Sequence, residues 1–306
     1  MIINSETVRD FVESNPNLVY RKETSFPGVY LLKYKNRVFY DNLWDTNPIL
    51  RECRGTLVDA NYKVISRPFT KIFNYGENGT TIDDNLYCVA YKKVNGFMAA
   101  LSMDKDCLIV STTGSTDSRF VSMALEMLVK YCDGYNITNF LGNTRTVIVE
   151  IVHPDDPHII PEEEGVYLLG ARWNTWDAAP NVFIGDHSYY EYTAKSFGMK
   201  YCDHVEAIFS DIRTLAKYAN HEGYVVYSQA TQEALKIKSP FYLMSKFLAR
   251  KHTEKLVELF EDQRQLRSII DEEYYPLLEY IKKDFDTFLK SNEQDRLNII
   301  RNYIYG

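Results

Sequence analysis

Lys93-Val94-Asn95-Gly96 lies at the end of the strand-like run 86–91, and its reading decides the fold: a lysine tied to a tight glycine turn suggests a covalent nucleophile. Lysine is a poor nucleophile while protonated, so an enzyme using one must lower its pKa by burial or with neighbouring cations. Lys236 and Lys238, far downstream, are suitable cations. They alternate with Leu235 and Ile237, so in a strand both ammonium groups share one face while the apolar pair takes the other. Such a pair can grip a phosphate. Gly96 removes a side chain three residues after the lysine, which lets a ligand approach the backbone and permits an unusual turn. Taken alone, the spacing fits an ordinary surface lysine equally well.

Working outward, 306 residues with 45% hydrophobic content suffice for one large core or two smaller ones. A formal net charge of -7 argues against a protein that coats nucleic acid through its overall field, yet leaves room for a local basic cleft. No apolar run reaches about 18 residues, and the first residues lack the basic flank and apolar stretch of a signal peptide. A soluble, intracellular chain is the expectation. Cys53, Cys88, Cys107, Cys132 and Cys202 never form a Cys-x-x-Cys pair, so neither a disulfide framework nor a zinc cluster is indicated. The 24 tyrosines suit half-buried sheet surfaces, and some could stack on bases.

Ser5 is expected to cap a first helix that Asn15-Pro16-Asn17 ends. From there to about residue 242 strands dominate: 29–34, 54–59, 63–67, 86–91, 98–103, 107–112, 146–152, 166–171 and 224–227 are rich in β-branched or aromatic residues. Residues 118–131 and 208–218 carry apolar side chains at helical spacing, and the whole predicts an α+β domain of mainly antiparallel sheets over 1–242. After Pro240 the chain turns to charge-rich amphipathic helices, with Pro276 opening a further one, which predicts a small all-helical unit over 243–306. That tail is too short and too helical for an oligonucleotide-binding barrel.

Several other segments carry chemistry. Arg54-Gly55 places a guanidinium before a strand, suited to phosphate or ribose oxygens. In Arg67-Pro68-Phe69-Thr70-Lys71-Ile72-Phe73-Asn74, Lys71 and Phe73 share strand parity, so an ammonium and an aromatic face could enter one pocket; ordinary packing of a lysine stem on a ring is the plainer reading. Glu150 sits within the apolar run 147–152. An ionised carboxylate there needs a cation or donor, unless its side of the strand faces water. Glu222-Gly223 puts another carboxylate at the lip of a strand, and a hairpin 224–238 would bring Glu222, Lys236 and Lys238 together, where magnesium and a phosphate could both be held. His153 and His158 flank Pro154-Asp155-Asp156-Pro157, which reads as a polar loop. No P-loop, Rossmann or Gly-x-Ser-x-Gly motif occurs.

Taken in order, Arg54-Gly55, Arg67-Pro68, Lys71-Ile72-Phe73-Asn74, Lys93-Val94-Asn95-Gly96, Glu150, Glu222-Gly223-Tyr224-Val225 and Lys236-Ile237-Lys238-Ser239 resemble the covalent nucleotidyltransferases, and most closely the T-even phage RNA ligase 1 family. The resemblance spans about residues 50–242 and includes Tyr242 and the segment 166–172. It implies an adenylyltransferase domain with ATP and Mg2+ or Mn2+ as cofactors. Lys93 would take AMP from ATP, AMP would pass to a 5′-phosphate RNA end, and a 3′-hydroxyl would displace it. By the same resemblance Phe73 stacks on adenine, Glu150 contacts the ribose, Arg54 and Lys71 meet the triphosphate with Lys236 and Lys238, Gly96 and Tyr242 border the nucleotide, and Glu222 holds water on the metal. The implied role is RNA repair, with tRNA a candidate substrate, by a monomer with no membrane partner in a host cytoplasm. DNA ligases and capping guanylyltransferases share this lysine chemistry, and a silent RNA-end-binding protein could share the fold. Two departures stand out: Thr113-Gly114-Ser115 has threonine where the family carries lysine, and the helical tail is shorter than the relative's.

Overall fold

The computed structural model describes residues 2–177, 187–231, 233–262, 265–266 and 275–305. Its strands, in chain order, are β1 (Val19–Glu23), β2 (Tyr30–Tyr34), β3 (Arg54–Val58), β4 (Val64–Ser66), β5 (Phe73–Asn74), β6 (Tyr87–Lys92), β7 (Phe97–Asp104), β8 (Cys107–Ser111), β9 (Arg145–Val152), β10 (Gly165–Trp173), β11 (Lys200–Tyr201), β12 (His204–Ile208), β13 (Gly223–Ser228) and β14 (Ala234–Lys238). They form three sheets, ordered β1-β2-β3-β4, β12-β6-β13-β14-β5 and β11-β10-β9-β7-β8. Pairing among them is antiparallel except for β10 with β11 and β14 with β5. The fold is the expected α+β one.

Two of the sheets face one cleft, and strand alternation decides what each presents. In β14, Leu235 is fully buried with Ile237 packed beside it, while Lys236 turns to the other face, opposite Val225 of β13, which in turn lies opposite Tyr91 of β6. In the second sheet Val147, Val149 and Ile151 of β9 point into the largest core, under the helix Arg119–Tyr131, and Glu150 points away from it. Directly opposed residues share a face, so Met98 of β7 and Tyr167 of β10 flank Glu150.

A buried ion cluster pins the segment that crosses between the sheets. Arg67 is 1% exposed and donates to Glu52 at 3.1 Å, while Arg172 donates to the same carboxylate at 3.4 Å and to the Pro68 carbonyl at 2.6 Å. Thr70 also donates to Glu52, at 2.6 Å. Burial would push the Glu52 pKa up, but Arg172 and Arg67 outweigh it and hold the carboxyl below its usual range. Arg67-Pro68 is thus a structural lock, and it sets the course of residues 67–73.

From Ser239 onward the chain is helical in Pro240–Arg250, Thr253–Glu261, Tyr275–Lys283, Phe285–Lys290 and Glu293–Tyr305. Leu248, Leu256, Leu278, Ile281, Phe288 and Ile300 make a separate core that also takes in Ile159 and Ile160, and Arg301 donates to the Ile159 carbonyl at 3.0 Å. The helix Pro240–Arg250 runs across the expected boundary at 242, because Ser239 caps it and Pro240 opens it. Asn4, rather than Ser5, caps the first helix, in a reciprocal pair with Thr7. Short strands at 19–23, 200–201 and 204–208 and the helices Gly134–Leu141 and His187–Ser196 were not legible in the periodicity.

Candidate active site

The cleft between the two sheets encloses about 970 Å³, counting its open mouth. Its floor is apolar: Phe69, Ile72 and Ile148 pack together with Met98, Leu169 and Val225. Tyr91, Tyr190 and Tyr227 line the wall, beside Cys202, whose thiol burial pushes up to about 12, so it is no rival nucleophile. The polar side is formed by Arg54, Lys93, Glu150 and Lys236.

Lys93 sits just past β6, held by its backbone N–H on the Gly223 carbonyl at 2.8 Å. Its ammonium lies 3.0 Å from Glu222 and 4.0 Å from Glu150, with its side chain 23% exposed. Glu222 also faces Lys238 at 3.6 Å and accepts a bond from Asn95. Glu150 accepts from the Gly96 N–H at 3.3 Å. Gly96 is required here, since a Cβ would overlap the Ile151 carbonyl oxygen and crowd the Glu150 side chain at 3.1 Å.

These distances correct one expectation. Lys93 was to be made neutral by Lys236 and Lys238, yet its close neighbours are carboxylates. Burial alone would lower its pKa, but Glu150 and Glu222 together outweigh burial and raise it above the ordinary lysine value. The amine rests as an ammonium. Among the lysines lining the cleft it is Lys236 that is depressed, brought down to about 7 by burial and then by Arg54, Lys71, Lys93 and Lys238. Glu150 moves the other way from a solvated carboxylate, its pKa raised chiefly by burial.

The structure brings Lys93, Gly96, Glu150, Glu222, Lys236, Lys238 and Arg54 around the cleft. Phe73 is not among them. Its ring is 4% exposed and packs edge-on to Trp44 at 5.5 Å in the core under the first sheet, while Ile72, the residue just before β5, turns to the cleft. Lys71 does share a site with Phe73, at 5.0 Å from its ring, but that site is a corner beside Trp44 where Glu77 binds the ammonium at 2.9 Å. Lys71 therefore stands behind Lys236. Tyr242 is buried with the helical core, its ring 5.1 Å from the Lys238 ammonium.

Sequence reasoning missed Ile72, Phe69 and Asn95, although each lies inside a quoted motif. Asn95 is 4% exposed, donates to Glu222, accepts from the Ile160 N–H at 3.1 Å and bonds Tyr242, so one amide ties Glu222 to the helical core. A signal was available: an amide two residues after the lysine, buried between strands, must have both ends satisfied.

Among the described residues no group of three His, Cys, Asp or Glu side chains could cage a metal. Glu150 and Glu222 together fit a hard divalent cation that keeps waters and takes its other oxygens from phosphates.

A cleft of this kind between two antiparallel-rich sheets is the fold of the covalent nucleotidyltransferases. The chain is similar to an archaeal ATP-dependent RNA ligase, with a TM-score of 0.56, 13% identity, and coverage of 98% of this chain and 78% of that one. A chain named as an ATP-dependent DNA ligase from Aquifex aeolicus superposes with a TM-score of 0.55 at 13% identity, covering 95% of this chain and 76% of that one. By sequence, the RNA ligase family profile of the T4 ligase type matches residues 52–251, and the chain belongs to that family. It is 30% identical over 138 residues to RNA ligase 1 of bacteriophage TS2126, spanning 41% of this chain and 35% of that protein. It is 23% identical over 340 aligned positions to an RNA ligase of Rhodothermus phage RM378, covering 86% of this chain and 76% of the relative. No helix among the described residues is long and apolar enough to cross a membrane.

Proposed function

We propose that this chain is an ATP-dependent RNA ligase that joins 5′-phosphate and 3′-hydroxyl RNA ends, with Lys93 as the nucleotide-accepting amine. The observation that carries the reading is the Lys93 ammonium held at 3.0 Å from Glu222 and 4.0 Å from Glu150, on the polar side of a cleft that also carries Lys236 and Arg54. Acids within reach and cations beside them are what a lysine needs to lose a proton and meet a triphosphate.

The nucleotide base fits the apolar floor of Ile72, Phe69, Met98, Leu169 and Val225, which leaves its phosphates among the cations. Glu222 or Glu150 accepts the Lys93 proton. The nitrogen lone pair then forms a bond to the α-phosphorus as the bond to the bridging oxygen breaks and pyrophosphate leaves. Lys236, with no carboxylate within ion-pair distance among the described residues, is free to neutralise charge on that phosphorus. Next, an oxygen of the RNA 5′-phosphate attacks the same phosphorus and the electron pair returns to the Lys93 nitrogen. A 3′-hydroxyl finally attacks the activated end, AMP departs, and the phosphodiester is made.

A divalent cation, Mg2+ or Mn2+, would be held by Glu222 and Glu150 through water, where it would neutralise phosphate charge and, by its own positive charge, favour loss of the Lys93 proton. The helical core beyond Ser239 is proposed as a separate C-terminal unit that acts on the site through Tyr242 and Asn95. In the test, a 5′-phosphorylated RNA with a 3′-hydroxyl is incubated with ATP and Mg2+. Circular product, with an adenylated linear RNA accumulating at early times, is expected. Products from a DNA strand only, or GTP in place of ATP, would overturn the reading.

A further inference from the structure

The end of β2, the start of β3 and the turn after β8 meet beside Arg54 and Gly55. Lys33 of β2 is paired with Arg54 of β3, so the two cations share one sheet face. Arg54 lines the cleft. Behind it the chains are pressed together: Gly55 has a φ of +92°, and a Cβ on it would lie 2.7 Å from the Thr113 α-carbon. Only glycine lets β3 start so close to the turn Thr112–Ser115. Across that turn, the Lys33 ammonium lies 3.1 Å from where a Cβ on Gly114 would stand. Any side chain at 114 would meet the amine directly.

Lys33 and Arg54 have no carboxylate within 4.0 Å among the described residues, whereas Lys71, Lys92, Lys93 and Lys238 each have one. Two adjacent cations without an acid raise the local potential. The carboxylate in the turn, Asp117, is engaged by the Ser115 hydroxyl at 2.5 Å. The turn itself offers the Thr113 hydroxyl and backbone beside two cations that make no ion pair among the described residues. Such a grouping suits a multiply charged phosphate.

We infer that Lys33, together with Arg54 and the Thr113-Gly114-Ser115 turn, binds the outer phosphates of the nucleotide, so that the ammonium missing from position 113 is supplied across the sheet from position 33. This rests on the proposed ligase reading and adds a residue to it. Lys236 holds the phosphorus under attack, and Lys33 with Arg54 holds the pyrophosphate that leaves. Lys33 is a binding and positioning residue: it takes no proton and forms no bond to phosphorus.

The experiment separates the steps. Lys33→Ala should raise the ATP concentration for half-maximal adenylation of Lys93 by about tenfold, the loss of one charge-assisted contact, and weaken pyrophosphate inhibition by a similar factor. Sealing of a pre-adenylated RNA end, which carries no triphosphate, should stay within about twofold. Lys33→Arg should keep most of the affinity. In Lys33→Ala/Thr113→Lys the amine returns from the turn side, and ATP dependence should recover. Unchanged ATP dependence in Lys33→Ala would overturn the inference, as would a defect confined to AMP transfer onto 5′-phosphate RNA, which would assign the subsite to the RNA end. Should the native chain form no lysyl-AMP at all, the ligase reading fails instead. Calorimetric binding of inorganic pyrophosphate to native protein and Lys33→Ala then tests the subsite by itself, with equal affinities counting against it. Lys33 is only half-buried, so both variants are expected to fold with an unchanged melting temperature.

Discussion

Nucleotide binding should be coupled to the uptake of a proton by Lys236. In the ligand-free cleft its pKa is about 7, against an ordinary 10.5, because burial and the charges of Arg54, Lys71, Lys93 and Lys238 all oppose the ammonium form. Glu77, which feels Lys236 in turn, is committed to Lys71. A triphosphate beside Lys236 reverses that balance and restores an ordinary value. At pH 8, one unit above the free value, about 0.1 of Lys236 is protonated before binding and nearly all after, so about 0.9 proton is taken up. Affinity should then fall about tenfold for each pH unit above 7, up to the bound-state pKa. Titration calorimetry with α,β-methylene ATP, in buffers of different ionisation enthalpy, reads the proton count directly; at pH 8 the nucleotide is already fully ionised. Lys236→Arg, always charged, should bind with no uptake. Stability follows the same linkage. A lysine whose folded pKa lies below its unfolded one destabilises the fold when charged, so Lys236→Met should raise stability by on the order of 2 kcal/mol at pH 6. The gain should shrink as pH climbs from 7 toward 10. An uptake below about 0.3 proton at pH 8, or one that survives Lys236→Ala, would refute the assignment of the depressed pKa to this amine.

Exchanging two neighbours should split binding from stability. Ile72→Ala opens the cleft floor and should raise the KM for ATP by about tenfold. Phe73→Leu should leave KM within about twofold while lowering stability by about 1 kcal/mol, measured by denaturant unfolding, since its ring packs on Trp44 rather than in the cleft. Glu52→Gln removes the shared counter-charge of Arg67 and Arg172 and should cost about 3 kcal/mol. Because the folded pKa of Glu52 is depressed, the stability it adds is present above the ordinary carboxylate range and lost as pH falls through the folded value. The variant's stability should therefore change less than the native protein's in acid melts below about pH 4.5.

The alternation of charged and apolar residues in 235–238 and the apolar run around Glu150 predicted which side chains leave the core, since a strand's period of two fixes facing without knowledge of partners. Glu150, Lys236 and Lys238 were legible in this way and the hairpin 224–238 added Glu222 to the lysine pair, while Lys93 and Glu150 were joined to them through the resemblance to the RNA ligase 1 family. The sign of the Lys93 pKa was not, because it depends on distances: Glu222 at 3.0 Å and Glu150 at 4.0 Å decide it, and neither follows from spacing along the chain. Phe73 was misplaced for a related reason. Residues 67–72 are not a strand, and their course is set by the Glu52, Arg67 and Arg172 cluster, whose members lie 15 and 120 residues apart in pairing with Glu52. Lys33 offered no local signal at all; only the pairing of β2 with β3 and the packing of Gly55 on Thr113 bring it beside Arg54.

The most direct trial of the account is to incubate the protein with α-labelled ATP and Mg2+ and map the labelled residue. An acid-labile phosphoamide on Lys93, absent from both Lys93→Ala and Lys93→Arg, is the predicted result, since a guanidinium at that position stays protonated and cannot attack. An unlabelled native chain, or equal label on Lys93→Ala, would contradict it.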